Sequence, residues 1–157
     1  MSDEAIIGKI KEVLAARAEG ITNPAPKRIF LPVSPGQLVE TVDLLKKRLG
    51  LAHLATISGV DRGENFEFLY HLVNSDATVT VRILTPRSAP KIPSICSIIP
   101  GAILYERELQ DMFGVVVENI PDPRPLLLPD NWPQGQFPLR KDWKWERPAE
   151  IIPGGGK

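Results

Sequence analysis

Three stretches rich in β-branched and aromatic residues, His53 to Val60, Phe66 to Val73 and Thr78 to Thr85, follow one another with only DRGEN and NSDA between them. Parallel pairing needs a crossover of about a dozen residues or more, so connections this short leave antiparallel hairpins as the way to pair these strands. Around them the apolar period changes to that of helices. Ile6, Ile10, Val13 and Leu14 follow Ser2 and two first-turn acids, and Gly20 comes after, which predicts an amphipathic helix over residues 3–19. Asn23 to Pro26 reads as a connector and Lys27 to Val33 as a short strand. Ser34 and Pro35 then form a cap and first-turn pair for a second helix, with Leu38, Val42, Leu45 and Leu49 inward and Gly50 as its stop. The expected fold class is α+β, an antiparallel or mixed sheet with helices on one face, over residues 1–120.

The most crowded stretch is ERELQDMFG, Glu106 to Gly114. Pro86, Pro90 and Pro93 make the preceding segment an irregular connector, followed by a short turn at Ser94 to Ile99. A helix over 102–113 puts Ala102, Tyr105, Leu109, Met112 and Phe113 on one buried face, with Gly114 as its stop and a brief edge strand at Val115 to Val117. Glu106, Arg107, Glu108 and Asp111 then read as a charged surface. Local pairs such as Arg107 with Asp111 are worth only about 0.2 to 0.5 kcal/mol. Asp111 also sits in the last turn, where the helix dipole disfavours an anion by about 0.3 to 1 kcal/mol. An arginine or lysine from outside the helix is expected to meet it.

Nineteen basic and nineteen acidic side chains cancel, so the chain as a whole offers no field for nucleic acid or an anionic membrane. Cys96, the single cysteine, lies in an apolar run and reads as a buried, inert thiol in a reducing compartment. The N-terminus carries acids where a signal peptide carries bases, and Pro100 and Gly101 interrupt the longest apolar run, so membrane association is expected through partners.

Between Pro121 and Pro148, seven prolines and three tryptophans replace any regular period. Residues 121–157 read as an extended tail with more apolar surface than a solvated linker carries. Such a tail either folds back over its own domain or embraces another subunit. FPLRKDW, Phe137 to Trp143, interleaves Arg140, Lys141 and Asp142 with aromatics, which suits an interface hot spot as well as a loop over this domain's core.

Chemistry of its own is hard to find in the chain. Catalysis by Glu106, Glu108 and Asp111 would need two carboxylates converging on a cleft with separated pKa values, and a helix face of acids with an arginine is more often solvated or ion-paired. His53 and His71 with one cysteine cannot make a cysteine-rich cluster or a standard zinc site. There is no glycine-rich strand-to-helix turn and no nucleophile elbow. Arg140, Lys141, Lys144 and the tryptophans have the ingredients for single-stranded nucleic acid, without a basic balance elsewhere.

YERELQDMFG at 105–114, PDPRPLLLPDNWP at 121–133 and FPLRKDW at 137–143 together resemble the 30 kDa peripheral-arm subunit family of respiratory complex I. The likeness is closer to its counterpart in membrane-bound energy-converting hydrogenases and related ferredoxin-linked complexes. It is strong over 105–143, and general in layout before that. Ile120 stands where complex I members usually have a His before Pro-Asp, and an aromatic is frequent near Gln110. Both departures count against the quinone-reducing branch, and the short chain and LLLPDNWP favour the hydrogenase-like one, with the same role in a quinone-, NADH- or sulfur-linked relative of complex I as the alternative.

The resemblance implies a structural, assembly subunit without catalytic residues or cofactors of its own. Iron–sulfur clusters, and a NiFe centre in the hydrogenase branch, belong to partner subunits. It also implies docking on the large hydrogenase-like or 49 kDa-type subunit and on iron–sulfur subunits, at the cytoplasmic side of the membrane, with no nucleic acid. Glu106, Arg107, Glu108, Asp111, Phe113 and Gly114 match the family's helix motif, and Arg124 with Pro138, Leu139, Arg140, Lys141 and Asp142 matches its tail motifs. These twelve are the expected partner-binding residues.

Overall fold

The computed structural model describes residues 2–15 and 18–144. Helix α1 (Asp3–Leu14) is capped by the Ser2 side chain, which accepts from the Ala5 amide at 3.3 Å. It ends earlier than the sequence predicts, at Ala15, which has φ +47 and turns the chain out of the helix. Strands β1 (Thr22–Ala25) and β2 (Arg28–Pro32) form an antiparallel pair, so the expected connector at Asn23 is an edge strand. A single 3-10 turn, Pro35–Gln37, leads into α2 (Leu38–Leu49), and Gly50 caps it in the left-handed conformation at φ +66. Ser34 stands at the head of that turn without a side-chain capping bond.

Strands β3 (His53–Asp61), β4 (Asn65–Val73) and β5 (Thr78–Pro86) form the antiparallel meander, and β2 joins β5 in parallel. The result is a five-stranded mixed sheet in the order β1-β2-β5-β4-β3. Alternation along the strands sends Phe66, Phe68, Tyr70 and Leu72 of β4, with Val79, Val81 and Ile83 of β5, into one core with Ile10, Leu38, Val42 and Leu45 of the two helices. The helices pack on that face, whereas the opposite face mixes charged and polar residues such as Arg28, Glu67, His71, Thr80 and Arg82 with apolar ones such as Leu69 and Leu84.

The connector after β5 carries β6 (Lys91–Pro93), which the sequence does not suggest, and β6 pairs in parallel with β7 (Val116–Glu118) as a small second sheet. Between them a 3-10 turn, Pro100–Ala102, opens α3 (Ile103–Phe113). Cys96 is a buried free thiol in the preceding turn. Residues 121–144 carry no helix or strand, and expectations for Trp145, Pro148 and the rest of 145–157 lie outside the described residues. No helix among the described residues is long and apolar enough to cross a membrane.

Candidate functional site: the clasp between helix and tail

Helix α3 is seated by one aromatic ring. Phe113 meets Phe66 edge-on at 5.7 Å and Phe68 at 5.8 Å. The ring has room because Gly59 of β3 has no side chain, and a Cβ there would collide with it. Gly114, at φ +66, ends the helix with its amide on the Gln110 carbonyl at 2.9 Å. The absence of a Gly114 side chain has a second use, since the Phe137 ring of the tail lies against its Cα.

The charged residues of the motif are not the solvated surface that helical spacing predicts. Glu106 is fully buried. It faces the turn before α3 and accepts from Ser94 Oγ at 2.6 Å, the Ile95 amide at 2.7 Å and Cys96 Sγ at 3.2 Å. Burial pushes its carboxyl above the usual range against those three bonds. Burial, with the neighbouring Glu106, also pushes the Cys96 thiol up to about 11, although its bond with Ser94 opposes the shift. Glu106 thus pins the start of α3 to the β6 turn. Tyr70, whose hydroxyl is buried without a hydrogen-bond partner among the described residues, lies close enough to feel the Glu106 and Cys96 charges, although its own burial is the largest cause of its raised pKa.

Asp111 is also buried, and among the described residues what meets it is not a lysine or arginine. Its Oδ2 accepts from the backbone amides of Leu126, Leu127 and Leu128 at 2.8, 2.7 and 3.2 Å. Amide donors carry partial positive charge, so the poor location for an anion in the helix's last turn is compensated by main chain. Arg107 reaches the same segment, donating from Nε to the Arg124 carbonyl at 2.7 Å and from Nη2 to the Pro125 carbonyl at 2.9 Å. Its guanidinium also stands 3.4 Å from Asp122, which Arg124 holds well below the usual carboxylate range. Arg124 is exposed. Glu108 is half-buried, and its carboxylate makes no bond among the described residues.

FPLRKDW closes over the end of the same helix. The Leu139 amide donates to the Met112 carbonyl at 3.1 Å, and Arg140 Nε donates to the Phe113 carbonyl at 2.7 Å. The Arg140 guanidinium is layered between Phe137, 4.3 Å from its ring centre, and Phe66, at 5.1 Å. Pro138, next to Phe137 in the chain, is half-buried. The Lys141 amide donates to Asp61 Oδ2 at 2.8 Å, and Asp142 pairs with Arg87. Of the tail's aromatics, Trp132 and Trp143 lie against each other at 6.0 Å, and both donate to Gln136.

Asp61 and Arg87 are residues of the clasp that sequence reasoning missed. Asp61, at the end of β3, is 4% exposed and collects the Lys141 amide, the Gly63 amide at 2.8 Å and Arg87 Nη1 at 2.6 Å. Burial pushes its carboxyl up, but the Arg87 guanidinium and the two amides outweigh burial and hold it at about 2. In sequence, both belong to turns or connectors, and no periodicity brings them together with residue 141. Of the twelve expected residues, all but Glu108 and Pro138 make a bond or ring contact within this clasp or in the seating of α3; Leu139 contributes its amide, and its side chain is exposed.

Residues 31–149 match the family described as "Respiratory-chain NADH dehydrogenase, 30 Kd subunit". A subunit of the F(420)H(2) dehydrogenase of Methanosarcina mazei is 34% identical over 145 residues, covering 90% of this chain and 89% of that one. The formate hydrogenlyase subunit 5 of Escherichia coli is 33% identical over 121 residues, covering 73% of this chain but only 21% of its own length. Among solved structures, a chain of the membrane-bound sulfane sulfur reductase, an archaeal respiratory membrane complex, shares the fold with a TM-score of 0.75 at 24% identity, covering 90% of this chain and 85% of that one. The segments that form the clasp, α3 and the tail up to Lys144, lie inside the matched region, and this chain belongs to the respiratory-chain NADH dehydrogenase 30 kDa subunit family.

Proposed function

We propose that this chain is a non-redox assembly subunit in the peripheral arm of a membrane-bound respiratory complex of the complex I or energy-converting hydrogenase type, and that the outer surface of the clasp docks it on the large, catalytic-type subunit. The observation that carries the reading is the division of labour at α3. Asp111, Arg107 and Glu106 are consumed inside the chain, and in consequence the leucines of the tail stand outward: Leu127 is 54% exposed and Leu139 53%, with Leu104 of α3 at 53%. Apolar side chains held in the open by a rigid main-chain frame are what a pre-organised interface offers. Glu108, Arg124, Lys141 and Asp142 add partly or fully exposed charge of both signs to the same helix and tail.

The Escherichia coli relative supports the same reading, since the matching segment there is one part of a much longer polypeptide. A module found fused to a larger chain in one relative and separate in another is suited to working against that larger chain. In this proposal the iron–sulfur and NiFe chemistry, the electron donor and the ion moved belong to the partner subunits, and the membrane is reached through them on its cytoplasmic side.

Pull-down of the native complex through a tag on this chain tests the reading. Leu127→Asp with Leu139→Asp should release the large subunit while the isolated double variant keeps its stability within about 0.5 kcal/mol, as exposed substitutions do. Normal recovery of the large subunit with this variant, and with residues 121–157 removed, would contradict it.

A further inference from the structure

The clasp uses the helix side of the sheet and the end of β3, and among the described residues no α-helix packs on the other face of the sheet. Its outward positions form cross-strand rows: Pro32, Arg82, Leu69 and Ser58 in one, and Leu84, Glu67 and Val60 in the next. Glu67 is unusual there, because it is an acid on the solvent face of a strand and is 1% exposed. Two arginines cover it. Arg62 donates to Oε2 from Nε at 2.8 Å and Nη2 at 2.6 Å, and Arg82 grips Oε1 with Nε at 2.7 Å and also with Nη2. Burial pushes the Glu67 carboxyl up, and the two guanidiniums outweigh burial and hold it below the usual carboxylate range.

One carboxylate between two guanidiniums leaves a surplus positive charge held in a fixed place. Arg28 adds another on the same face, and among the described strand residues Glu67 is the one acid pointing outward from this sheet. Each arginine spends Nε and Nη2 on Glu67, which leaves the Nη1 edges for an outside acceptor. Beside Arg82 runs a groove of about 600 Å³ between the sheet and the turn after β2, walled by Pro32, Val33, Pro35 and Leu84, with Glu19 at its rim. Leu84 is 55% exposed, the largest exposure among the chain's described large apolar side chains.

We propose that this face is a second docking site, and that it takes an extended segment of another subunit of the complex, with an apolar side chain in the groove against Leu84 and an adjacent carboxylate on Arg82 and Arg62. The choice of occupant rests on charge complementarity: a basic segment would meet two arginines, and a purely apolar one would leave the guanidinium edges desolvated and unpaired. The identity of the occupant as a subunit rests on the proposed function above. The site itself is on the opposite side of the sheet from the clasp, so the two readings can fail separately.

A photo-crosslinking residue in place of Leu84, in the tagged full chain purified with its native complex, tests this directly, with the same residue in place of Gly36 as a nearby exposed control. The expected result is a cross-linked peptide, identified by mass spectrometry, from a co-purifying subunit, in which the linked residue has an Asp or Glu within two positions. Leu84→Asp should also weaken that subunit's retention about tenfold, the size expected for loss of one interface anchor, while recovery of the large subunit through the clasp is unchanged. Cross-links only within this chain, to a second copy of it, to a basic segment, or none at all in an intact complex would overturn the site and leave the clasp reading standing. A wild-type chain that purifies alone would overturn both.

Discussion

Two buried carboxylates on opposite sides of this molecule are treated in opposite ways. Asp111 gathers three backbone amides of the tail and so folds one segment of the chain onto another, whereas Glu67 gathers two arginine side chains and leaves their outer edges in solvent. Both satisfy a desolvated anion. The first arrangement spends its donors inside the chain and contributes to stability; the second keeps charge available at the surface, and its pair with Arg62, a side chain 56% exposed, is worth about 1 kcal/mol or less. A motif rich in acids is therefore not by itself a recognition surface, and what decides is whether the donors that satisfy it are main chain or side chains with further donors left over.

The comparison makes the clasp side the stability-sensitive one, and perturbations there should rank first. Glu106→Ala leaves the Ser94 hydroxyl and Ile95 amide buried without an acceptor, at about 1 to 3 kcal/mol for each orphaned group, so chemical denaturation should show a loss of about 2 to 6 kcal/mol. Asp111→Ala should cost about 1 to 3 kcal/mol and speed hydrogen exchange at the Leu126 to Leu128 amides while leaving the β4 amides unchanged. Charge reversal at this position, which from the sequence alone reads as an assembly defect, becomes a folding defect as well.

The Asp61 hub gives the clasp a pH signature. Its folded carboxyl is held at about 2, below the ordinary 3.8, so its contribution is fully present above pH 4 and is lost as the pH falls toward 2. Stability measured between pH 5 and 2 should therefore fall less steeply in Asp61→Asn than in the parent chain, and parallel curves would remove Asp61 from the account. The smallest effect belongs to the other face. Arg62→Ala, at a side chain 56% exposed, should change stability by about 1 kcal/mol or less, since Arg82 still holds Glu67; a loss matching that of Asp111→Ala would erase the contrast between the two sides.

Much of the fold was legible because it follows local rules. The meander from His53 to Pro86 shows in its alternation and short turns, α2 shows in its period and its Gly50 stop, and α3 ends at Gly114 as its residue type requires. What was not legible depends on distant partners. Strand β1 contains Pro24 and is almost wholly exposed, so it has no alternation to read, and the parallel pairings of β2 with β5 and of β6 with β7 join segments far apart in sequence. The buried state of Glu106 depends on a turn ten residues earlier, and that of Asp111 on amides fifteen and more residues later. Amides are carried by every residue type except proline, so no side-chain pattern announces them as partners. The resemblance marked α3 and the tail together, and the structure supplies the physical reason for the association: they bind each other.

The central claim, that α3 and the tail form one pre-assembled clasp before any partner arrives, is tested most directly by amide hydrogen exchange on the isolated full chain. The Leu126, Leu127 and Leu128 amides on Asp111, the Leu139 amide on Met112 and the Lys141 amide on Asp61 should all be protected relative to the unbonded amides of the same tail. Exchange of these five at the rate of unstructured chain would contradict it.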